Sequence, residues 1–477
     1  MHRSLLARWG LGVLAVAFVF SACGDEEVVV EPTDNPPTMD LTAPAGGSAI
    51  QPGSDVQITW TATDDNAVVG VDLFVVSAGG PAVIARDVTG SSFTWTAPNA
   101  DLFAAKVRAT AKDAAGQTAT DESGMFAVVT HSVRGYVTSN TCKNCHIGPY
   151  TEVFASGHPY KINKVSGGPP TYPYSTVPNP PAGYSWNDIT YVIGGFGWKT
   201  RYMDKDGYIF TDGVFGTLSQ YNLPRSDLGY GANWAPYDAA LTSPKPYNCG
   251  ACHTTGWQTT AENGGVNQDG LIGIEGTWEE TGISCEACHG PGATHVATQT
   301  AANIVVDNSA ALCGSCHVRG DPATIPASGG FIRHHEQYNE LLAGAHSARN
   351  CVDCHSPHKG VLYGQAAAGG IHTTCQDCHQ GKTLNHVPIA CEACHMARAT
   401  KSAQNRDVYR ADISTHLFRI NTDTALTRVD MMGGSVAADY VSLDVACYQC
   451  HKDSSGVGGP RSAKSLTVLA LRANVIH

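Results

Sequence analysis

Residues 351–395 contain three copies of one pattern: Cys351-Val-Asp-Cys354-His355, Cys375-Gln-Asp-Cys378-His379 and Cys391-Glu-Ala-Cys394-His395. Five further copies of C-x-x-C-H lie elsewhere: Cys142/Cys145/His146, Cys249/Cys252/His253, Cys285/Cys288/His289, Cys313/Cys316/His317 and Cys447/Cys450/His451. Each of the eight C-x-x-C pairs is followed by His. Zinc binding and thiol–disulfide exchange also use C-x-x-C, but neither requires a histidine after every copy.

The pattern is the attachment signature of a c-type haem. Two thiols at this spacing lie one helical turn apart and can bond to the two vinyl groups of one porphyrin. The following histidine is then the proximal ligand of the iron. We therefore predict eight haem c groups, with the sixteen motif cysteines as covalent attachment sites and the eight motif histidines as proximal iron ligands.

The second axial ligand decides the chemistry, because a haem with two protein ligands transfers electrons and one with an open position can bind a substrate. Several of the other histidines crowd around the motifs, and this placement favours a role as distal ligands. Of the pair His334/His335 we favour His335, and His477 is a further alternative. The candidate distal ligands are His158, His295, His335, His346, His358, His372, His386 and His416.

His358 follows the proximal residue His355 by three positions. At about 3.5 Å per residue, the backbone is too short to carry it to the opposite face of the same haem. We therefore expect His358 to serve a neighbouring haem, and such crossed ligation would hold successive haems close together.

The N-terminus predicts export. Residues 1–22 combine Arg3 and Arg8 with the short apolar run 11–20, as a secretory signal does. Cys23 is the one cysteine of the seventeen outside the motifs, and it follows Phe20-Ser21-Ala22. This order resembles a bacterial lipobox, which implies lipidation of Cys23. The alternative is ordinary signal cleavage that leaves a free thiol.

Residues 23–37 are acidic and contain proline, which predicts a solvated tether. From residue 38 to about 130, apolar and polar residues alternate in short runs separated by turn signals, which predicts an all-β sandwich. The strand around Trp60 and the turn Asp113-Ala-Ala-Gly116 resemble bacterial immunoglobulin-like modules. A spacer or a contact surface is the expected role.

Residues 131–477 are predicted to form an octahaem cytochrome c domain of loops and short helices, whose core is the haem stack. Strands are expected at 188–193 and 198–203, with a hairpin turn at Asp204-Lys-Asp-Gly207 before a third strand at 208–210. The aromatic insert 169–246 is interpreted as packing over haem faces, with a binding surface as the alternative. Helical spacing between residues 463 and 476 predicts a terminal helix that packs on the last haem unit.

Three stretches resemble the multihaem cytochrome c superfamily that includes the nitrifier tetrahaem cytochrome, octahaem hydroxylamine oxidoreductase and octahaem tetrathionate reductase. They are Cys249-Gly-Ala-Cys-His-Thr-Thr-Gly-Trp257, Gly282-Ile-Ser-Cys-Glu-Ala-Cys-His-Gly-Pro-Gly292, and His386 with Cys391-Glu-Ala-Cys-His-Met396. Catalytic members of that superfamily depart from all-histidine ligation at one haem. This sequence has no C-x-x-C-K, and its histidines outnumber the positions to be filled.

The net charge of −12 argues against nucleic acid and anionic lipid as partners. We predict an electron carrier at the outer membrane or cell surface, or facing the periplasm, held by a lipid anchor. Its expected partners are redox proteins, other cytochromes or metal oxides, and assembly into an oligomer or filament is left open. The alternative is an enzyme that converts nitrite, hydroxylamine or tetrathionate at one open haem. A third interpretation is an adhesion protein in which the haems are structural.

Overall fold

The computed structural model describes residues 33–382, 385–386, 389–451, 464–473 and 475–476. These residues form an N-terminal β-sandwich followed by a longer mixed region that carries the eight motifs. The predicted signal and Cys23 lie outside the described residues, as does His477. No helix in the described ranges is both long and apolar enough to cross a bilayer.

The sandwich contains nine strands. They are β1 (Thr38–Ala43), β2 (Ala49–Ile50), β3 (Asp55–Thr63), β4 (Val68–Ser77), β5 (Gly80–Val88), β6 (Ser92–Thr96), β7 (Leu102–Asp113), β8 (Thr118–Glu122) and β9 (Phe126–Val128). One sheet has the order β1-β3-β6, and the other has the order β2-β9-β7-β4-β5 with β8 also paired to β7.

Alternation in the sequence explains the sandwich core. On β3, Ile58 and Trp60 face inward and are almost fully buried, while the residues between them are more exposed. Leu73, Val107 and Phe126 of the opposite sheet are fully buried against them. Because successive side chains of a strand point to opposite faces, this pattern places one apolar face of each sheet in a common core.

The second region is richer in strands than the sequence indicated. Its fifteen short strands are β10 (Ile162–Lys164), β11 (Tyr191–Gly194), β12 (Lys199–Met203), β13 (Gln220–Asn222), β14 (Asn233–Ala235), β15 (Thr254–Thr255), β16 (Gln258–Thr259), β17 (Gly276–Thr277), β18 (Glu280–Thr281), β19 (Ala327–Ser328), β20 (Phe331–Ile332), β21 (Thr400–Asn405), β22 (Ala411–Ile413), β23 (Ile420–Asn421) and β24 (Val441–Ser442). The prediction of mainly loops and short helices is therefore corrected to a mixed fold for the described residues.

The α-helices are short. They are α1 (Ser139–Lys143), α2 (Ile147–Ala155), α3 (Asp212–Phe215), α4 (Gly250–His253), α5 (Cys285–His289), α6 (Ala293–Thr298), α7 (Ala310–Gly314), α8 (Gln337–Ala343), α9 (Cys375–Cys378), α10 (Glu392–His395), α11 (Arg428–Met432), α12 (Leu443–His451) and α13 (Leu466–Ala473). Helix α13 contacts α12, which carries the last motif, as the spacing of apolar residues predicted.

The aromatic insert forms an antiparallel sheet of order β10-β11-β12-β13-β14. The turn at Asp204–Gly207 is present, with the Gly207 N–H donating to the Asp204 carbonyl at 3.1 Å. The third predicted strand is wrong, because Ile209 forms only isolated bridges, to Met203 and Lys245. Many aromatic rings of the insert pack on one another, for example Phe210 on Phe215 with ring centroids 4.0 Å apart.

The sandwich is not a detached spacer. Ala127 and Val129 pack with Ala293 and Ala297 of α6 in one buried cluster, and Phe103 of β7 adds to it. Helix α6 contacts β2, β7 and β9. The sandwich thus supports a helix of the motif-bearing region.

Candidate haem-binding site

The motifs fold as short helical turns. In five motifs that no α-helix wholly encloses, the histidine N–H donates to the carbonyl of the first cysteine, at 2.9 Å for His146, His317 and His355, 2.8 Å for His379 and 3.0 Å for His395. A helical turn places residues three and four apart on the same side, so the two thiols and the histidine project together. None of the sixteen motif cysteines forms a disulfide with another described residue.

Most motifs open onto one continuous cavity of about 2260 Å³. Its lining includes both thiols and the histidine of each of the first six motifs, and Cys391 of the seventh. A pocket for one small-molecule ligand holds about 300–1,000 Å³. The cavity therefore has room for several large groups arranged side by side.

Six motif histidines face a second histidine from another part of the chain. The centroid separations are 6.2 Å for His146–His295, 6.3 Å for His317–His158, 6.2 Å for His289–His358, 5.9 Å for His379–His346, 6.2 Å for His355–His416 and 5.9 Å for His451–His386. Two imidazoles bound to one metal through bonds of about 2 Å have ring centres about 6 Å apart. The donor set, the spacing and the cavity therefore fit bis-histidine haems.

All six pairs cross between motifs. His358, three residues after His355, faces His289 of the third motif rather than its own, in agreement with the reach argument. Similarly, His295 follows the third motif but faces His146 of the first. Crossed pairs connect distant parts of the chain, so each such site depends on tertiary structure.

Hydrogen bonds fix the tautomer of several rings. The Nδ1 atoms of His289 and His395 lie 2.7 Å from the carbonyl oxygens of Val305 and Phe418, respectively. The Nδ1 of His317 lies 3.2 Å from Gln337 Oε1. An Nδ1–H that donates to an oxygen leaves Nε2 available for a metal and makes the ring a stronger donor.

Two buried carboxylates support the site, and no sequence pattern pointed to either of them. Glu340 accepts hydrogen bonds from the His416 backbone N–H at 2.6 Å and from Thr400 Oγ1 at 2.8 Å. Glu286 lies inside the third motif and accepts from the N–H groups of Val137 and Gly292 at 2.9 and 2.8 Å. Burial raises the pKa of Glu286. This carboxylate joins the first motif to the third.

His372 is placed differently from the sequence expectation. Its Nε2 lies 3.0 Å from the Val352 carbonyl oxygen and its Nδ1 lies 3.0 Å from the Thr373 hydroxyl. With both ring nitrogens engaged, His372 faces no motif histidine among the described residues. We therefore leave it out of the proposed ligand set.

The second motif differs from the six paired ones. Within the described ranges no histidine ring pairs with His253, whose Nδ1 is buried without a hydrogen-bond partner. Burial, and then the positive charges of Lys161, Arg201 and Lys199, lower the pKa of His253 to about 4.

His334 and His335 lie near this centre, and their rings are 3.9 Å apart. Both line the cavity, and the pKa of His335 is lowered by burial and by charges that include His253. The sequence prediction missed the cationic neighbours of His253. One signal was available: Lys199 and Arg201 are two apart on β12 and so share a face.

Thiols of different motifs approach one another. The neighbouring pairs are Cys142 and Cys285, Cys252 and Cys316, Cys313 and Cys351, Cys288 and Cys313, Cys354 and Cys378, Cys375 and Cys391, and Cys394 and Cys450. These contacts arrange the motifs in the spatial order first, third, fourth, fifth, sixth, seventh and eighth, with the second beside the fourth. Helix contacts α1–α5 and α10–α12 agree with this order.

Residues 37–109 match the family of bacterial Ig domains, Big_7. The chain therefore contains a bacterial immunoglobulin-like domain, in agreement with the predicted sandwich. The match covers a minor part of the chain and assigns no family to residues beyond it.

Three solved structures are similar to parts of the chain. The crystal structure of the outer cell wall cytochrome OcwA has 19% identity and a TM-score of 0.43, over 72% of this chain and 86% of that one. The fibronectin(III)-like modules of Clostridium thermocellum CbhA have 23% identity and a TM-score of 0.16, over 20% and 45%. Pectate lyase Pel3 from Pectobacterium carotovorum has 16% identity and a TM-score of 0.13, over 21% and 30%. No curated protein matches the chain. The function is therefore argued from the chain's own residues.

Proposed function

We propose that the chain is an exported octahaem c-type cytochrome that carries electrons along a row of bis-histidine haems. This proposal is carried by the six crossed histidine pairs around the motif cysteines. The ring centroids of each pair are separated by the distance expected for two imidazoles bound to one iron. When bound with two axial imidazoles, haem iron exchanges single electrons without binding a substrate.

The motif residues have distinct roles in this proposal. The sixteen cysteines hold the haems covalently, and the eight motif histidines are the proximal ligands. His158, His295, His346, His358, His386 and His416 are the distal ligands of the fourth, first, sixth, third, eighth and fifth motifs, respectively. Gln337 orients the His317 ring through a hydrogen bond, and Glu340 holds the backbone at His416.

The order of the thiols supports a continuous route. Adjacent motifs along this route have neighbouring cysteine side chains, from the first motif to the eighth. One end of the proposed route lies at the first motif, near the immunoglobulin-like domain. Electrons enter or leave the row of haems at this end. The second motif, beside the fourth, is a branch.

Lipidation of Cys23 and a surface location belong to the same proposal. The signal-like residues 1–22 and the acidic tether support export and anchoring. The proposed acceptor is a cationic oxidised redox protein or a cationic extracellular ferric compound. The negative net charge of the chain does not repel such an acceptor.

The test uses the full-length, haem-loaded protein purified from membranes. Its intact mass and a pyridine haemochrome assay count the haems, and stopped-flow absorbance follows reoxidation of the dithionite-reduced protein by a cationic oxidised cytochrome c. The proposal expects eight haems and reoxidation of the whole haem absorbance. Fewer than six haems per chain, or no reoxidation by any soluble ferric acceptor, overturns it.

A second candidate function is supported by the second motif alone. His253 faces no histidine ring among the described residues, and Lys161, Lys199 and Arg201 place positive charge around it. Such a centre would leave one axial position for a small anion, of which nitrite is an example. This is the reductase alternative, restricted to one haem of the eight.

Electron paramagnetic resonance distinguishes the two functions. An open centre gives a high-spin ferric signal that changes when nitrite or cyanide is added, and nitrite is consumed by the reduced protein. A fully ligated centre gives neither. His335→Ala is the matched variant: a high-spin signal that appears only in the variant assigns His335 as the sixth ligand and removes the reductase candidate.

A further inference from the structure

Three carboxylates of the immunoglobulin-like domain converge at one end of the sandwich. Asp34 precedes β1, Asp64 follows β3, and Asp113 is the last residue of β7. One carboxylate oxygen from each lies within 4.8 Å of the other two. The chain segment that leads from the tether therefore meets two turns of the domain at this point.

Asp113 is the most deeply buried carboxylate of the cluster. The residue is only 3% exposed, and its Oδ1 accepts a hydrogen bond from the Gln117 N–H at 2.7 Å. Its Oδ2 is buried and has no hydrogen-bond partner, and the same holds for Oδ2 of Asp64. An ionised oxygen that is removed from water without a donor is strongly destabilising, so it requires either a proton or a cation.

No ion pair in the described part of the chain involves any of these three carboxylates. Lys112 is adjacent to Asp113 in sequence, but successive strand residues point to opposite faces. The Lys112 Nζ lies 2.8 Å from Asp72 and 2.9 Å from Asp87 instead. Side-chain amides organise the cluster without neutralising it: Asn66 Nδ2 donates to Asp34 Oδ1 at 2.6 Å, and Gln117 Nε2 donates to Asp34 Oδ2 at 3.0 Å.

We propose that Asp34, Asp64 and Asp113 bind a calcium ion. An all-oxygen set with several carboxylates is the environment that calcium prefers. The set lacks the imidazole and thiolate donors that select zinc or copper. Backbone carbonyls and water complete the coordination of six to eight oxygens that is usual for calcium.

The bound ion has a structural consequence. Since Asp34 lies four residues before β1, calcium ties the end of the tether to the turns after β3 and β7. Calcium would strengthen a connection that the hydrogen bonds from Asn66 and Gln117 to Asp34 already make. This inference concerns the immunoglobulin-like domain alone and does not depend on the haems.

The test is isothermal titration of the full-length, haem-loaded protein, treated with a chelator and dialysed, with calcium chloride. We expect one site with a Kd of about 10⁻⁴–10⁻³ M, the range of extracellular calcium modules. Differential scanning calorimetry should show one transition that moves to higher temperature with calcium and much less with magnesium chloride.

Asp113→Asn and Asp64→Asn each remove one charged ligand and should weaken binding by at least about tenfold. Either change also relieves the repulsion between carboxylates, so both variants should fold without calcium. Asp101→Asn changes an exposed carboxyl of the same domain and is the matched control, with calcium binding unchanged. No calcium-dependent heat or thermal shift at ~10⁻² M calcium, or equal binding by wild type and both cluster variants, overturns the proposal.

Discussion

The rings of His158 and His317 lie 6.3 Å apart, centroid to centroid, and are nearly perpendicular, at 86°. Burial, and then the charges of Lys161 and His317, lower the pKa of His158 to about 3, which keeps its imidazole neutral and available to a metal at neutral pH. The Nδ1 of His317 is engaged by Gln337, so its Nε2 is the free donor. Two residues far apart in sequence thus form one site with the geometry of two axial ligands.

This relationship predicts the result of His158→Ala. Removal of one axial imidazole should convert one low-spin haem to high spin, about one eighth of the total ferric signal, and should leave the others unchanged. Electron paramagnetic resonance with haem quantification measures the change. The matched control is His372→Ala, because His372 uses both nitrogens in hydrogen bonds and should produce no high-spin signal. Equal effects of the two substitutions would argue against the assignment.

Gln337 should tune the potential of the fourth-motif haem. Gln337→Ala removes the acceptor for the His317 Nδ1–H, which weakens the ring as a donor and should raise the midpoint potential by about 40 mV, the equivalent of one neutral hydrogen bond. Gln337→Glu offers a charged acceptor instead and should lower the potential. Spectroelectrochemical titration measures both shifts. Shifts of the same sign would show that Gln337 acts through packing rather than through this hydrogen bond.

The contact between the sandwich and α6 should matter for the first-motif haem. Ala297 is fully buried in that contact, two residues from His295. Ala297→Asp places an unpaired charge there and should lower the free energy of unfolding by about 3 kcal/mol or more. It should also convert the His146 haem to high spin, because His295 is displaced.

Thr294→Asp provides the control for this contact. Thr294 lies on the exposed side of α6, near its N-terminus, where a negative charge is tolerated. The expected change in the free energy of unfolding is within about 0.5 kcal/mol. Denaturant titration monitored by haem absorbance compares the two variants. An unchanged low-spin spectrum in Ala297→Asp would mean that the sandwich does not position His295.

The proposed order of motifs makes a kinetic prediction. Loss of the fourth haem, through Cys313→Ser with Cys316→Ser, should separate the haems into two groups. Electrons should no longer pass from the haems of the first and third motifs to those of the fifth to eighth motifs. Loss of the eighth haem, through Cys447→Ser with Cys450→Ser, removes an end of the row. Both variants lack one haem, but only the first should show two kinetically separate haem populations in stopped-flow reduction. Identical kinetics would contradict the order.

The local features of this chain could be predicted well from the sequence. Each C-x-x-C-H motif defines its own helical turn, and alternation around Ile58 and Trp60 predicts a strand. The reach of a three-residue segment was enough to exclude His358 as a ligand of its own motif. These inferences succeed because the physical cause lies within a few residues of the effect.

The pairing of histidines could not be predicted in the same way. Nothing near His295 in the sequence indicates His146, since the contact arises from packing of α6 on the sandwich. His372 shows the converse: it is close to a motif in sequence, but its ring nitrogens lie within hydrogen-bond distance of Val352 and Thr373. The short strands of the second region were also missed, because two-residue bridges leave no periodic signal.

The decisive measurement for the bis-histidine assignment is quantitative electron paramagnetic resonance of the oxidised, haem-loaded protein, with and without cyanide. Crossed histidine pairs predict at least six low-spin ferric haems per chain that do not respond to cyanide, with any responsive high-spin signal confined to the haems outside these six. Fewer than six low-spin haems, or high-spin signals from several centres that shift with cyanide, would contradict the account.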